Sequence, residues 1–187
     1  MSNATALPQE LELVHAFTNT IDIEPGAEEL GTPAQLRAWL VDQDLIEADD
    51  PVSERDHREA ISLRGSLRSV LAAHDGAELS PQEISAINDA VARYPLTVLF
   101  GPHAEPRIAS TGSGVRGALG EIMAGVVIAV SNGTWPRLKS CARESCQWVF
   151  YDHSKNRSKR WCSMTVCGNR TKTKAYRERH KVPDSRT

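Results

Sequence analysis

Two short stretches decide how this chain is read: Cys141-Ala142-Arg143-Glu144-Ser145-Cys146 and Cys162-Ser163-Met164-Thr165-Val166-Cys167-Gly168-Asn169-Arg170. They hold all four cysteines of the 187 residues, in the spacing Cys141-x4-Cys146-x15-Cys162-x4-Cys167. Two local loops that each offer two thiolates are the layout of a four-thiolate zinc site, because zinc takes four ligands tetrahedrally at about 2.3 Å from sulfur. Four protein ligands leave no open position, so such a site is structural rather than catalytic. A redox or disulfide pair and an iron–sulfur cluster are the alternatives for clustered thiols. His153 could replace a thiolate, but four cysteines already suffice, and it is read as a turn residue.

Charge divides the chain at the same place. Residues 136–187 carry 14 Lys and Arg against 4 Asp and Glu, whereas the 135 residues before them carry 8 against 20. An acidic body is therefore expected over 1–135 and a basic module over 136–187. Hydrophobic residues make up 40% of the whole, which argues against disorder over its length. The longest apolar run, Ile122 to Val130, is well short of the roughly 18 residues a membrane span needs. The opening residues lack the basic and apolar regions of a secretory signal. A cytoplasmic protein without a membrane partner is expected.

The body reads as helices. Leu13, Val14, Phe17 and Ile21 form an apolar stripe over Glu10 to Ile21. Thr32-Pro33-Ala34-Gln35 and Ser80-Pro81-Gln82-Glu83 are capping boxes with Pro at the first helical position. The first opens a helix through Leu36, Trp39 and Leu40, and the second a helix through Ile84, Ile87 and Val91 that closes near Pro95. Between them Ser53 caps a helix carrying Ile61, Leu63, Leu67, Val70 and Leu71, ended by Gly76. Thr97–Phe100 and Arg107–Ser110 are predicted to pair as a hairpin, and Val115–Val130 to form the central buried helix. Asn19 and Thr20 are the oddity, polar residues inside an apolar helical pattern. They are either a polar helix end or a ligand or packing contact. No P-loop, dinucleotide fingerprint or nucleophile elbow is present, and His15, His57, His74 and His103 have no metal-ligand spacing. An enzyme is therefore not expected.

In the module, Gln147–Tyr151 and Arg157–Trp161 are predicted as strands flanking a turn, and Thr171–Lys181 as a helix before Pro183. Its small apolar content makes metal binding the main source of its folding free energy, about 10–16 kcal/mol for such sites. Arg170, Lys174, Arg177 and Lys181 recur on one helical face, and Arg157, Lys159 and Arg160 add cations from the hairpin. Such a surface matches phosphate spacing and binds nucleic acid by counterion release. It could instead dock on an acidic protein surface, the body's own included, or be merely solvated. Trp148 and Trp161 serve either as a small core or as base-stacking platforms. One basic helix per chain gives a small footprint, so a specific DNA binder would act as a homodimer on two half-sites.

The residues then resemble a known family. Cys141-x4-Cys146-x-Trp148-x-Phe150-x-Asp152, followed by Trp161-Cys162-Ser163-Met164-x2-Cys167-Gly168-Asn169-Arg170-x-Lys172, is similar to the CGNR zinc finger. Phe17-Thr18-Asn19-Thr20-Ile21-Asp22 resembles the opening of the ABATE domain that usually precedes this finger. The resemblance implies a bacterial stress-induced transcription regulator, with zinc on Cys141, Cys146, Cys162 and Cys167, the finger on DNA and no catalytic activity. It gives Asn19 and Thr20 added weight as ligand-binding candidates. The expected architecture is mainly α: a helical N-terminal domain with a short β-hairpin, and a small zinc-clamped hairpin and helix. On this reading Arg170 reads a base edge or braces the zinc loops, Gly168 allows a tight turn and Asn169 caps the helix. The N-terminal domain would sense, dimerise or bind partners. A protein-interaction adaptor is the alternative function.

Overall fold

A computed structural model describes residues 6–173. Its architecture is mainly α, as expected. Helix α1 spans Gln9–Thr18. It stops three residues short of Ile21, which instead opens strand β1 (Ile21–Asp22), paired with β2 (Ala27–Glu28). The break comes where Thr18 and Thr20 turn their hydroxyls onto the helix's own carbonyls, of Val14 and Phe17. Such local bonds compete with continued helix.

The capping signals are realised. Helix α2 (Pro33–Asp42) starts where the Thr32 hydroxyl accepts from the Gln35 N–H. Helices α3 (Glu54–Ala73) and α4 (Pro81–Val91) begin with reciprocal boxes, Ser53 with Asp56 and Ser80 with Glu83. Each box satisfies two N–H groups that the first turn otherwise leaves orphaned. Strands β3 (Leu96–Phe100) and β4 (Pro106–Ser110) form the predicted hairpin.

Helix α5 (Gly114–Ser131) meets the length and hydropathy of a membrane span, yet its Val115, Leu119, Ile122 and Ala129 are buried inside the protein. It is the central helix that the sequence predicted. It crosses α1 at Gly125, where a Cβ would lie 2.5 Å from the Glu10 carbonyl oxygen. Only glycine permits so close an approach.

One core joins α1, α2, α3 and α5 through Leu11, Phe17, Leu36, Leu40, Leu63, Leu67 and Ile122. It continues past residue 135. A short 3-10 turn, Trp135–Arg137, leads into β5 (Leu138–Ser140), which pairs with β6 (Val149–Tyr151). Leu138 and Val149 are fully buried in this same core. The hairpin partner of β6 is therefore Leu138–Ser140 and not Arg157–Trp161. The latter segment has no strand structure: Arg157 sits at φ 52°, and the loop is drawn in by side chains described below.

Candidate metal centre and its basic surroundings

The β5–β6 hairpin presents Cys141 and Cys146 in its connecting loop. Cys141 N–H donates to the Trp148 carbonyl at 2.9 Å, and the N–H groups of Cys146 and Gln147 both turn back to the Arg143 carbonyl. Gln147 takes a left-handed φ of 50° to close this knuckle. Cys162 and Cys167 come from the far side, where residues 164–168 form a wide π-type helical turn. The Ser163 hydroxyl caps that turn by accepting from Val166 N–H at 3.3 Å. Asn169, expected as the cap, lies inside the helical run with φ −66°. Gly168 has no left-handed φ either. Its value is space, since a Cβ there would stand 2.6 Å from the Met164 sulfur.

All four Sγ atoms lie within 4.8 Å of one another. Cys146 to Cys162 is 3.8 Å and Cys162 to Cys167 is 3.6 Å. A disulfide needs about 2.05 Å. A tetrahedron with sulfur about 2.3 Å from its centre has edges of about 3.8 Å. The cysteines thus converge at the separation a single ion demands, and the donor set fits zinc. Burial pushes the Cys146 thiol up to about 11, and burial with the neighbouring thiols pushes Cys162 up as well. At Cys141 burial is outweighed by hydrogen bonds from the backbone of Arg143 and Cys162, and its thiol is lowered. Several thiolates crowded this closely require a cation to hold their charge. Phe150, Trp148 and Trp161 pack around the cysteines as a second, small core. The two tryptophans are mini-core residues.

Family comparison agrees with this geometry. A family model described as "Putative stress-induced transcription regulator", ABATE, matches residues 11–132. The chain belongs to the ABATE family. A CGNR zinc finger model matches residues 137–180. A search of curated proteins finds no match. Neither matched family is an enzyme family.

The ABATE part grips the finger at several points. Asn19 is only 8% exposed. Its amide donates to the Val149 carbonyl at 2.9 Å and accepts from the Val149 N–H at 2.8 Å. Val149 turns these groups away from β5, so the Asn19 side chain imitates a third strand on the edge of β6. The same amide nitrogen also lies 3.1 Å from His15 Nε2. Burial holds His15 below the usual imidazole range, against a smaller opposite pull from a hydrogen bond to the Val149 backbone. Thr20 accepts from Arg64 Nη1 at 2.9 Å, and Arg64 forms a two-pronged ion pair with Glu28. Both residues expected as ligand contacts are thus engaged within the protein. Arg68 bridges the Thr18 and Gln147 carbonyls, and His74 lies 2.8 Å from the Leu138 carbonyl.

The finger's own loop is organised by a pair that the sequence did not signal. Asp152 is fully buried and Lys139 is 4% exposed, with Nζ and Oδ2 3.3 Å apart. Asp152 also accepts from the N–H groups of Ser154 and Lys159, at 2.9 Å each. Lys139 donates to the Arg157 carbonyl. Together they fold the 153–160 loop over the hairpin.

That loop exposes Arg157, Lys159 and Arg160. Lys159 lies over the Phe150 ring, while Arg160 bonds Asp75 of the body at 2.6 Å. Arg170 binds Glu24 at 2.7 Å, and Arg143 pairs with the same carboxylate. Glu24 sits in the β1–β2 turn. The arginine of the signature run is therefore held by the body. Lys174, Arg177 and Lys181, the remaining cations of the predicted helical face, lie outside the described residues.

Proposed function

We propose that this protein is a DNA-binding transcription regulator whose finger, residues 136–187, is folded by one zinc ion on Cys141, Cys146, Cys162 and Cys167. The observation that carries the reading is a thiolate cluster of tetrahedral dimensions inside a strongly basic module of an otherwise acidic chain. Zinc there is structural. It supplies the folding free energy that places the 153–160 loop and the helix starting at Asn169. Arg157, Lys159 and Arg160 contact DNA phosphates, joined by Lys174, Arg177 and Lys181 of the basic C-terminal stretch. Arg170 braces the finger against Glu24 or turns to DNA when that pair opens. Residues 1–135 form the sensing or dimerising part, and the protein works in the cytoplasm, where thiols stay reduced.

A second reading has its own support. Arg143 and Arg170 already pair with Glu24, and Arg160 with Asp75. The finger's cations accept protein carboxylates, as an adaptor docking on an acidic protein would require. Binding of the zinc-loaded protein to labelled duplex DNA across a salt series separates the two. A linear fall of log affinity with log salt, with a slope of about −0.9 per phosphate contacted, supports DNA as the target. No binding at low salt, on a sample with one zinc per chain, rejects it and favours the adaptor.

A further inference from the structure

A cleft of about 330 Å³ opens where α3, the start of α4 and the finger's first knuckle meet. That is the small end of the roughly 300–1,000 Å³ of ligand pockets. Gly65, Arg68 and Ala72 line it from α3, Glu78 and Glu83 from the approach to α4 and its first turn, and Gln147 from the knuckle. One cation and two carboxylates thus share the cleft, yet among the described residues Arg68 forms no ion pair with either. Arg68 is half-buried. Its hydrogen bonds go to neutral carbonyls, Thr18 at 2.6 Å and Gln147 at 3.1 Å, and they leave guanidinium donors unused. Burying a charge without a counter-charge is unfavourable. Glu28 cannot supply one, because it is committed to Arg64. Burial, and then the Arg64 charge, hold Arg68 below the usual arginine value. Across the cleft, bonds from the Ser80 N–H and hydroxyl hold Glu83 below the usual carboxylate range, so it is ionised near neutral pH. Gly65 keeps the α3 wall open. Glycine weakens a helix interior, and here packing does not demand it, since nothing lies within 4 Å of where its Cβ would stand.

We propose that this cleft binds a small zwitterion of the free amino acid type, its carboxylate on the open donors of Arg68 and its ammonium between Glu78 and Glu83. The charges select that class. A plain anion would meet two carboxylates, and a plain cation would leave Arg68 uncompensated. A guanidinium suits a carboxylate because it can bond both oxygens at once. The site also touches the finger. Arg68 Nη2 holds the carbonyl of Gln147, the residue whose left-handed turn closes the knuckle around Cys141 and Cys146. A carboxylate on Arg68 therefore acts on the same side chain that ties α3 to the metal centre. This names a ligand class for the sensing part proposed above. Its test uses no DNA, so a failure here and a failure to bind DNA are told apart.

Calorimetric titration of the zinc-loaded full-length protein with each of the common amino acids, singly, tests it. At least one should bind at one site per chain. Acetate and methylamine, which carry the two charges on separate molecules, should bind at least about tenfold more weakly. Glu78→Gln removes one carboxylate from an exposed loop and should weaken the amino acid at least about tenfold. Gly65→Leu fills the cleft without a clash and should abolish binding, with helical circular dichroism and zinc content unchanged. No binding by any amino acid overturns the proposal. Acetate that binds as well as the best amino acid overturns the zwitterion, and wild-type affinity in Gly65→Leu or Glu78→Gln overturns the site.

Discussion

Replacing Asn19 by alanine should uncouple the finger from the body. The side chain bonds both the outward N–H and the outward carbonyl of Val149, at 2.8 and 2.9 Å. Val149 is fully buried, so water cannot readily take over. A buried backbone group left unsatisfied costs about 1–3 kcal/mol. Two such groups set the loss at about 2–6 kcal/mol, with the lower half expected because Asn19 itself is slightly exposed. For a chain of this size that corresponds to a fall in melting temperature of roughly 5–15 °C. Urea and thermal unfolding of the zinc-loaded protein would measure it. Asn19→Asp sharpens the test. It keeps the shape and the acceptor but removes the donor, and it faces a carboxylate toward the Val149 carbonyl. It should destabilise at least as much as alanine. A loss below about 0.5 kcal/mol in Asn19→Ala, or a wild-type-like Asn19→Asp, would refute the strand-mimic argument.

Three further outcomes follow from the same contacts. Asp152→Ala strands the Lys139 ammonium in the interior and should cost about 3–5 kcal/mol, read as weaker retention of zinc against a chelator. Glu24→Gln releases Arg170 from its carboxylate. If the finger binds DNA, log affinity should then fall with log salt more steeply, by about 0.9 per phosphate gained. Acidification should loosen the body–finger contact. Burial lowers His15 below its ordinary 6.5, so the folded state binds its proton less readily than the unfolded chain. That contribution is complete above pH 6.5 and is lost as pH falls through the depressed folded value. His15→Gln, which accepts without titrating, should flatten this part of the denaturant midpoint's pH profile; an unchanged profile would count against His15.

How much of this was legible in the sequence depended on range. Thr32, Ser53 and Ser80 announced their helices because a cap acts within three residues, a distance that a linear reading spans. The four cysteines were legible because metal ligation imposes spacing on the chain. The partner of β6 was misread for the opposite reason. Leu138-Lys139-Ser140 carries a lysine at its centre, and lysine ordinarily reads as solvent-exposed. Only Asp152, thirteen residues on, makes that ammonium a buried group. Arg157–Trp161 looked more strand-like by composition, but the backbone bonds that Asp152 and Lys139 make to it hold it as a loop. Asn19 was noticed as out of place. Its purpose could not be read, since its partner lies 130 residues away.

These long-range contacts bear on what metal binding stabilises. Leu138 and Val149 belong to the body's core and not to the small cluster around the cysteines. Val149 follows Cys146 by three residues, and Leu138 precedes Cys141 by three. An ion that fixes the knuckle also fixes the register in which both side chains enter that core. The body in turn supplies Asn19, Arg68 and His74 to hydrogen-bonding groups that the hairpin cannot satisfy alone. Stabilisation therefore runs both ways across residue 135. Chelation should lower the stability of α1 and α3 along with the finger, giving one cooperative transition at reduced temperature. Two separate transitions, with the helical one unmoved by chelator, would mean that the shared core contributes little and that the finger folds independently.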